Sequence, residues 1–117
     1  MFRLVVSMLT VLLVSQVTLA VSTDEPVILI LGDSLSAAYG IQTEASWPSL
    51  LAKRLQGQGY RHSVINASIS GETTAGGARR VAALLEQYQP DVVMLALGAN
   101  DGLRGVALTE TKKNLEH

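Results

Sequence analysis

Hydrophobic positions along this chain follow two alternating rhythms. The run Val27-Ile28-Leu29-Ile30-Leu31 is apolar at every position and rich in β-branched residues. That pattern reads as a strand buried on both faces, as in a parallel sheet. Pro26 opens the run and Gly32-Asp33-Ser34 ends it. Val92 to Leu97 repeats the pattern and predicts another buried strand, ending at Gly98-Ala99-Asn100-Asp101-Gly102, while Arg61 to Ala67 predicts a weaker one. Between these runs the period becomes helical. Trp47, Leu50, Leu51 and Leu55 lie on one helical face, with Pro48 near the start, where a helix tolerates it, and Gly57 and Gly59 at the end. Val81, Leu84, Leu85 and Tyr88 fall at i, i+3, i+4 and i+7, after a turn at Gly71-Glu72-Thr73-Thr74 and before a break at Pro90-Asp91. Thr109 to Glu116 predicts a further helix with Thr109 as its N-cap.

Strand, helix, strand, helix, strand, helix is the order of an α/β fold with parallel strands and right-handed crossovers. Three strands are visible, whereas doubly wound sheets usually have about five or more, and the pattern stops at His117 inside a helix. The N-terminus has a different character. Arg3 is followed by an apolar run from Leu4 to Leu19, interrupted by Ser7, Thr10, Ser15, Gln16 and Thr18 and most hydrophobic from Val11 to Val14. Thr18 and Ala20 put small residues at −3 and −1 of a cut after Ala20, the layout of a secretory signal peptide. The polar interruptions weigh against a membrane anchor. The expected organisation is therefore a signal peptide over residues 1–20, a polar linker over 21–25 and one domain over 26–117.

The net charge is −1, which offers no electrostatic case for a nucleic-acid partner. The absence of cysteine removes disulfides, thiolate metal sites and cysteine nucleophiles together.

Candidate chemistry collects in the three loops that follow the strands: Gly32 to Ser36, Ser68 to Thr74 and Gly98 to Gly102. In open α/β sheets ligands bind at the carboxyl edge of the strands, so these loops are expected to face one crevice. Ser34, leaving a buried strand through a glycine and an aspartate, reads either as a nucleophile served by a base or as the N-cap of a helix near Leu35 to Tyr39. It does not lie in a G-x-S-x-G elbow, because the residue two positions on is Ser36. Gly71 is either a turn glycine or a bare backbone N–H open to a ligand. Asn100 is either a turn residue or an amide donor. Together the N–H of Ser34, the N–H of Gly71 and the Asn100 amide can hold an oxyanion.

The three blocks in order also resemble a known family. Gly32-Asp33-Ser34-Leu35-Ser36 resembles the first block of the SGNH (GDSL-like) hydrolases, whose serine is the nucleophile. Gly71, after Asn66-Ala67-Ser68-Ile69-Ser70, resembles the glycine of the second block, and Gly98-Ala99-Asn100-Asp101 the third block with its asparagine. The run from Gly98 to Gly105 is similar to the periplasmic acyl-CoA thioesterase I, lysophospholipase and arylesterase subgroup. The resemblance implies a flavodoxin-like three-layer α/β/α fold with a parallel sheet, truncated at its C-terminus. It implies Ser34 as catalytic nucleophile, and Ser34, Gly71 and Asn100 as oxyanion-hole donors. The implied enzyme is a periplasmic or secreted serine hydrolase of small-molecule acyl esters or thioesters, with no metal or organic cofactor and without a stable membrane span after signal cleavage.

One element of that family is missing from the chain. The fourth block, Asp-x-x-His, does not occur, and the histidines are His62 and His117. His62 opens the second strand, at the edge opposite the loops, and a base must come within about 3 Å of the serine hydroxyl. His117 is the last residue, either a chain residue or the start of a tag after Leu115-Glu116. The triad histidine and aspartate are therefore expected beyond residue 117, and the 117-residue chain alone is expected to be inactive. Asp33 and Asp101 are expected to fix their loops by hydrogen bonding. Two other readings stand beside the enzyme: a catalytically silent module that holds acyl ligands, and a phosphate binder using strand-to-helix loops. The second has no P-loop or G-x-G-x-x-G pattern behind it.

Overall fold

The computed structural model describes residues 24–117; the expected signal peptide and most of the 21–25 linker lie outside the described residues. Strand β1 (Val27–Gly32) is the middle of a three-stranded parallel sheet of order β2-β1-β3, with β2 at Ser63–Asn66 and β3 at Val92–Ala96. Helix α1 (Trp47–Gly57) connects β1 to β2, preceded by a 3-10 turn over Thr43–Ala45. Helix α2 (Thr74–Tyr88) carries the chain back across β1 to β3, and α3 (Ala99–Leu103) and α4 (Leu108–Leu115) follow. The two crossovers run in opposite directions along the sheet, so right-handedness places α1 and α2 on opposite faces.

The register explains where the core sits. Val27 pairs with Ser63 on one side, Ile28 with Val92 on the other, and β1 is flanked along its length. Leu29, Ile30 and Leu31 are 0%, 0% and 1% exposed, which is the outcome expected of a strand without a polar alternate. Strand β3 departs from the expectation. Val92 to Leu95 carry the same sequence pattern, yet all four are exposed. Among the described residues β3 is an edge, and no described strand lies on its outer side.

Several boundaries also differ. Ser34 starts no helix: residues 34–40 form successive turns, with the N–H groups of Ser36 and Ala37 on the Asp33 carbonyl and that of Tyr39 on the Ser34 carbonyl. Strand β2 is shorter than Arg61 to Ala67, because only Ser63–Asn66 lie opposite β1. Helix α2 begins earlier than its hydrophobic stripe, at Thr74, because the Thr73 hydroxyl accepts the Gly76 N–H and supplies the cap. The expected loop Gly98 to Gly102 is mostly the short helix α3. Helix α4 starts after an Ala107 cap rather than at Thr109, its first turn closed by the Glu110 and Thr111 N–H groups on the Ala107 carbonyl.

Candidate active site

Each of the three strands delivers its following loop to the same edge of the sheet, and hydrogen bonds stitch those loops together. The first loop leaves β1 at Gly32, where a side chain has no room: a Cβ there would lie 2.6 Å from the Ser36 hydroxyl and 3.0 Å from that of Ser68. Asp33 is buried, and its Oδ1 accepts the Leu35 N–H at 3.0 Å. No helix follows for Ser34 to cap; Asp33 closes the turn instead, and Ser34 is left half-buried. Ser36 is the anchor of the loop. Its hydroxyl accepts the Trp47 Nε1–H at 3.0 Å and its carbonyl accepts the Asn66 Nδ2–H at 2.7 Å, which ties the loop to α1 and to the end of β2. Ala38 adopts φ 64°, a left-handed conformation that a non-glycine residue occupies at a cost of about 1–2 kcal/mol. A depression of about 240 Å³ opens beside Ser34, lined by Leu35, Ala38, Tyr39 and Ile41.

The second loop rises from β2 and docks on the first, with the Ile69 N–H donating to the Gly32 carbonyl at 3.1 Å. Gly71 sits at φ 81°, the left-handed region that favours glycine, and is exposed. Among the described residues neither the Ser34 N–H nor the Gly71 N–H donates to a protein acceptor. Arg80 on α2 holds the loop from behind, donating from Nη2 to the Ala67 carbonyl at 2.8 Å and from Nη1 to Glu72 Oε2 at 3.2 Å.

The third loop meets the second. Asn100, half-buried in α3, donates from Nδ2 to the Glu72 carbonyl at 2.9 Å, and Arg104 donates from Nη2 to the Gly71 carbonyl at 3.1 Å. The Asn100 amide has two N–H donors, so one hydrogen remains after the bond to Glu72. Next to it, Asp101 is 2% exposed. Its carboxylate accepts the Thr74 N–H at 2.8 Å and the Thr111 hydroxyl at 2.9 Å, and also bonds the Thr74 hydroxyl. Asn114 Nδ2 donates in turn to the Thr74 hydroxyl at 3.1 Å. Burial alone would raise the Asp101 pKa, but the hydrogen bonds from the Thr74 side chain, the Thr74 N–H and the Thr111 hydroxyl stabilise the anion and hold it below the ordinary carboxylate range.

A family model described as "GDSL-like Lipase/Acylhydrolase family" matches residues 30–117, three quarters of the chain, and spans all three loops. The chain belongs to the GDSL-like lipase/acylhydrolase family. It is 51% identical over 88 residues to Esterase TesA of Pseudomonas aeruginosa, covering 75% of this chain and 44% of that protein. It is 50% identical to Thioesterase 1/protease 1/lysophospholipase L1 of Escherichia coli strain K12, covering 75% and 41%. Among solved structures it is similar to the psychrotrophic esterase EstA from Pseudoalteromonas sp., inhibited by monoethylphosphonate, at 53% identity and a TM-score of 0.73, covering 78% of this chain and 50% of that one. The chain spans less than half the length of the curated relatives it matches.

Within this GDSL-like domain His62 does not reach Ser34 along the sheet. His62 immediately precedes Ser63, which pairs with Val27 at the opposite end of β1 from Gly32, and a six-residue strand separates the two edges by roughly 15–20 Å. The His62 Nδ1 is buried without a hydrogen-bond partner and its ring packs edge-on against Tyr60. His117 lies beyond α4 and lines a small gap with Thr74, Gly77 and Leu97. A larger hollow of about 720 Å³ lies at the far edge beside Asp24, Ser63 and Asp91, away from Ser34. Among the described residues no helix is long and apolar enough to cross a membrane, and no group of three or more His, Cys, Asp or Glu is placed to hold a metal. Strand order brings Ser34, Gly71 and Asn100 to one edge, but nothing in the sequence marks the side chains that hold their segments in place: Trp47, Asn66, Arg80 and Arg104. Their partners lie 11 to 33 residues away and are mostly main-chain carbonyls, which leave no mark in the sequence.

Proposed function

We propose that this chain supplies the nucleophile and oxyanion hole of a serine esterase acting on small-molecule acyl esters or thioesters, with aryl esters, lysophospholipids and acyl thioesters as the substrate classes. The observation that carries the reading is the convergence of three strand-end loops on one edge, with the Ile69 N–H on the Gly32 carbonyl and the Asn100 amide on the Glu72 carbonyl. The substrate classes are suggested by the names of relatives: an esterase, an arylesterase of Vibrio mimicus and a thioesterase/lysophospholipase.

In the proposed reaction the Ser34 hydroxyl oxygen attacks the acyl carbonyl as its proton passes to a histidine base, oriented by an aspartate. Negative charge develops on the carbonyl oxygen, where the N–H groups of Ser34 and Gly71 and the free Asn100 N–H donate to it. The tetrahedral species collapses, the alcohol or thiol leaves with the proton returned by the base, and Ser34 holds the acyl group as an ester. Water, deprotonated by the same base, releases the acid and restores Ser34. We place that histidine and aspartate beyond residue 117; residues 1–117 alone then provide no base and are inactive. The leader over residues 1–20 fits an exported, periplasmic or secreted enzyme.

The test is covalent labelling of the full-length protein with a fluorophosphonate probe, whose phosphorus mimics the tetrahedral centre. Labelling is expected on the peptide containing Ser34 and is expected to vanish in Ser34→Ala. Labelling that persists in the alanine variant removes Ser34 from the role.

A further inference from the structure

We infer that Arg80 is a positioning residue for ester hydrolysis: through Glu72 it fixes the loop that presents the Gly71 N–H and orients the Asn100 amide. The inference rests on the proposed reading of Gly71 and Asn100 as oxyanion donors. Gly71 at φ 81° has no side chain to anchor it, and glycine is the residue whose own backbone restrains it least. The direction of its N–H must therefore be set from outside, by Arg104 on its own carbonyl at 3.1 Å and by what holds its two flanks. Arg80 holds both. One arm of its guanidinium takes the Ala67 carbonyl before the loop at 2.8 Å, the other the Glu72 carboxylate after it at 3.2 Å. Glu72 passes the restraint on. Its Oε1 accepts the Thr73 N–H at 3.2 Å, and its carbonyl accepts the Asn100 Nδ2–H at 2.9 Å. A single planar fork thus anchors the segment that carries one donor and the carbonyl that aims the other.

Two features separate this arrangement from an ordinary surface ion pair, which is usually worth little. The Glu72 side chain is only 12% exposed and that of Arg80 30%, and the same guanidinium also engages a main-chain carbonyl. The Glu72 carboxylate also offsets the guanidinium charge, so Arg80 acts by geometry rather than by its field on the oxyanion. Lysine has the charge but not the fork, and cannot span two acceptors in one plane.

The experiment uses the full-length protein and a p-nitrophenyl ester. For Arg80→Lys and Arg80→Ala, kcat is expected to fall on the order of 10–100-fold, the scale of a loss through misplacement of reacting groups. KM is expected to stay within roughly threefold, as when transition-state interactions alone are lost. Added guanidinium ion is expected to restore part of kcat in Arg80→Ala and none in Ser34→Ala. The losses of Arg80→Lys and Asn100→Ala are expected to combine less than multiplicatively, because both pass through the same donor. Wild-type kcat in Arg80→Lys, or losses that simply multiply, overturns the inference. Amide hydrogen exchange keeps the test open if Arg80→Ala folds poorly or if Ser34→Ala proves active, which would sink the parent reading instead. Faster exchange of the Glu72 N–H, which bonds the Ile69 carbonyl, is expected in Arg80→Lys at unchanged melting temperature. Unchanged exchange there shows that Arg80 does not hold the loop.

Discussion

Replacing Asp101 with asparagine probes the junction on which α3 and Asn100 rest. The carboxylate is 2% exposed and accepts from the Thr74 N–H, the Thr74 hydroxyl and the Thr111 hydroxyl, which links α2, α3 and α4 through one group. Asparagine keeps one acceptor oxygen for the Thr74 N–H but turns an NH₂ towards two hydroxyls. The Thr74 hydroxyl already accepts the Asn114 amide. It can accept one more hydrogen from the new amide, but its own proton is then left without a partner. A hydrogen bond to a charged group contributes about 1.5–3 kcal/mol, and a buried polar group without a partner costs about 1–3 kcal/mol. With partial relaxation, Asp101→Asn is expected to destabilise by about 2–4 kcal/mol. In urea denaturation at pH 7 that is a midpoint shift of roughly 1–2 M at an m-value of about 2 kcal/mol/M. The pH dependence carries the sharper test. The folded carboxylate titrates below its ordinary value of about 3.9, so its contribution is present above about pH 4 and is lost as pH falls through the folded value. The stability gap between wild type and variant should therefore narrow on acidification below about pH 4. A variant within about 0.5 kcal/mol of wild type at pH 7, or a gap that stays constant into acid, refutes the account of Asp101 as a buried, hydrogen-bonded anion.

Three further outcomes are expected. Asn100→Ala in the full-length protein should lower kcat on the order of 10²–10³-fold with a smaller change in KM, measured with a p-nitrophenyl ester; wild-type turnover would leave Asn100 as an α3 residue only. Gly32→Ala should lower both melting temperature and kcat, because the new methyl would lie 2.9 Å from the Ser36 Cβ as well as 2.6 Å from its hydroxyl, and overpacking costs about 1–3 kcal/mol. Ala38→Gly should be neutral or stabilising by up to about 1 kcal/mol in thermal denaturation, against the usual sign for that exchange, because glycine relieves the left-handed strain at φ 64°.

The parts of this fold that were legible in the sequence are those where local preference and environment agree. Val27 to Leu31 reads as a buried strand and is one, because β1 receives a strand on each side. Val92 to Leu95 reads the same way and is exposed, because an apolar β-branched run states what a strand requires and not whether a neighbour supplies it. The helix that the capping reading of Ser34 requires fails on a competition that sequence leaves undecided. Asp33 captures the Leu35 N–H with its side chain and the Ser36 and Ala37 N–H groups with its carbonyl, and the chain closes into turns. Thr109 fails as a cap because the first turn of α4 already closes on the Ala107 carbonyl.

The candidate site divides along the same line. Residues proposed to touch a substrate stand directly after strands, in loops or at the start of α3, where short motifs and strand order point to Ser34, Gly71 and Asn100. The residues that orient them act across the fold. Trp47 reaches Ser36 from α1, Asn66 reaches the same residue from β2, Arg80 grips both flanks of Gly71 from α2, and Arg104 takes the Gly71 carbonyl from the end of α3. Most of these bonds end on a main-chain carbonyl, so only one partner has an identity that sequence can display. A donor aimed at a developing oxyanion is effective only if it need not reorganise during reaction. The proposed chemistry therefore lies in three short segments after the strands, while the rigidity it would need comes from helices and strands far from them in the chain.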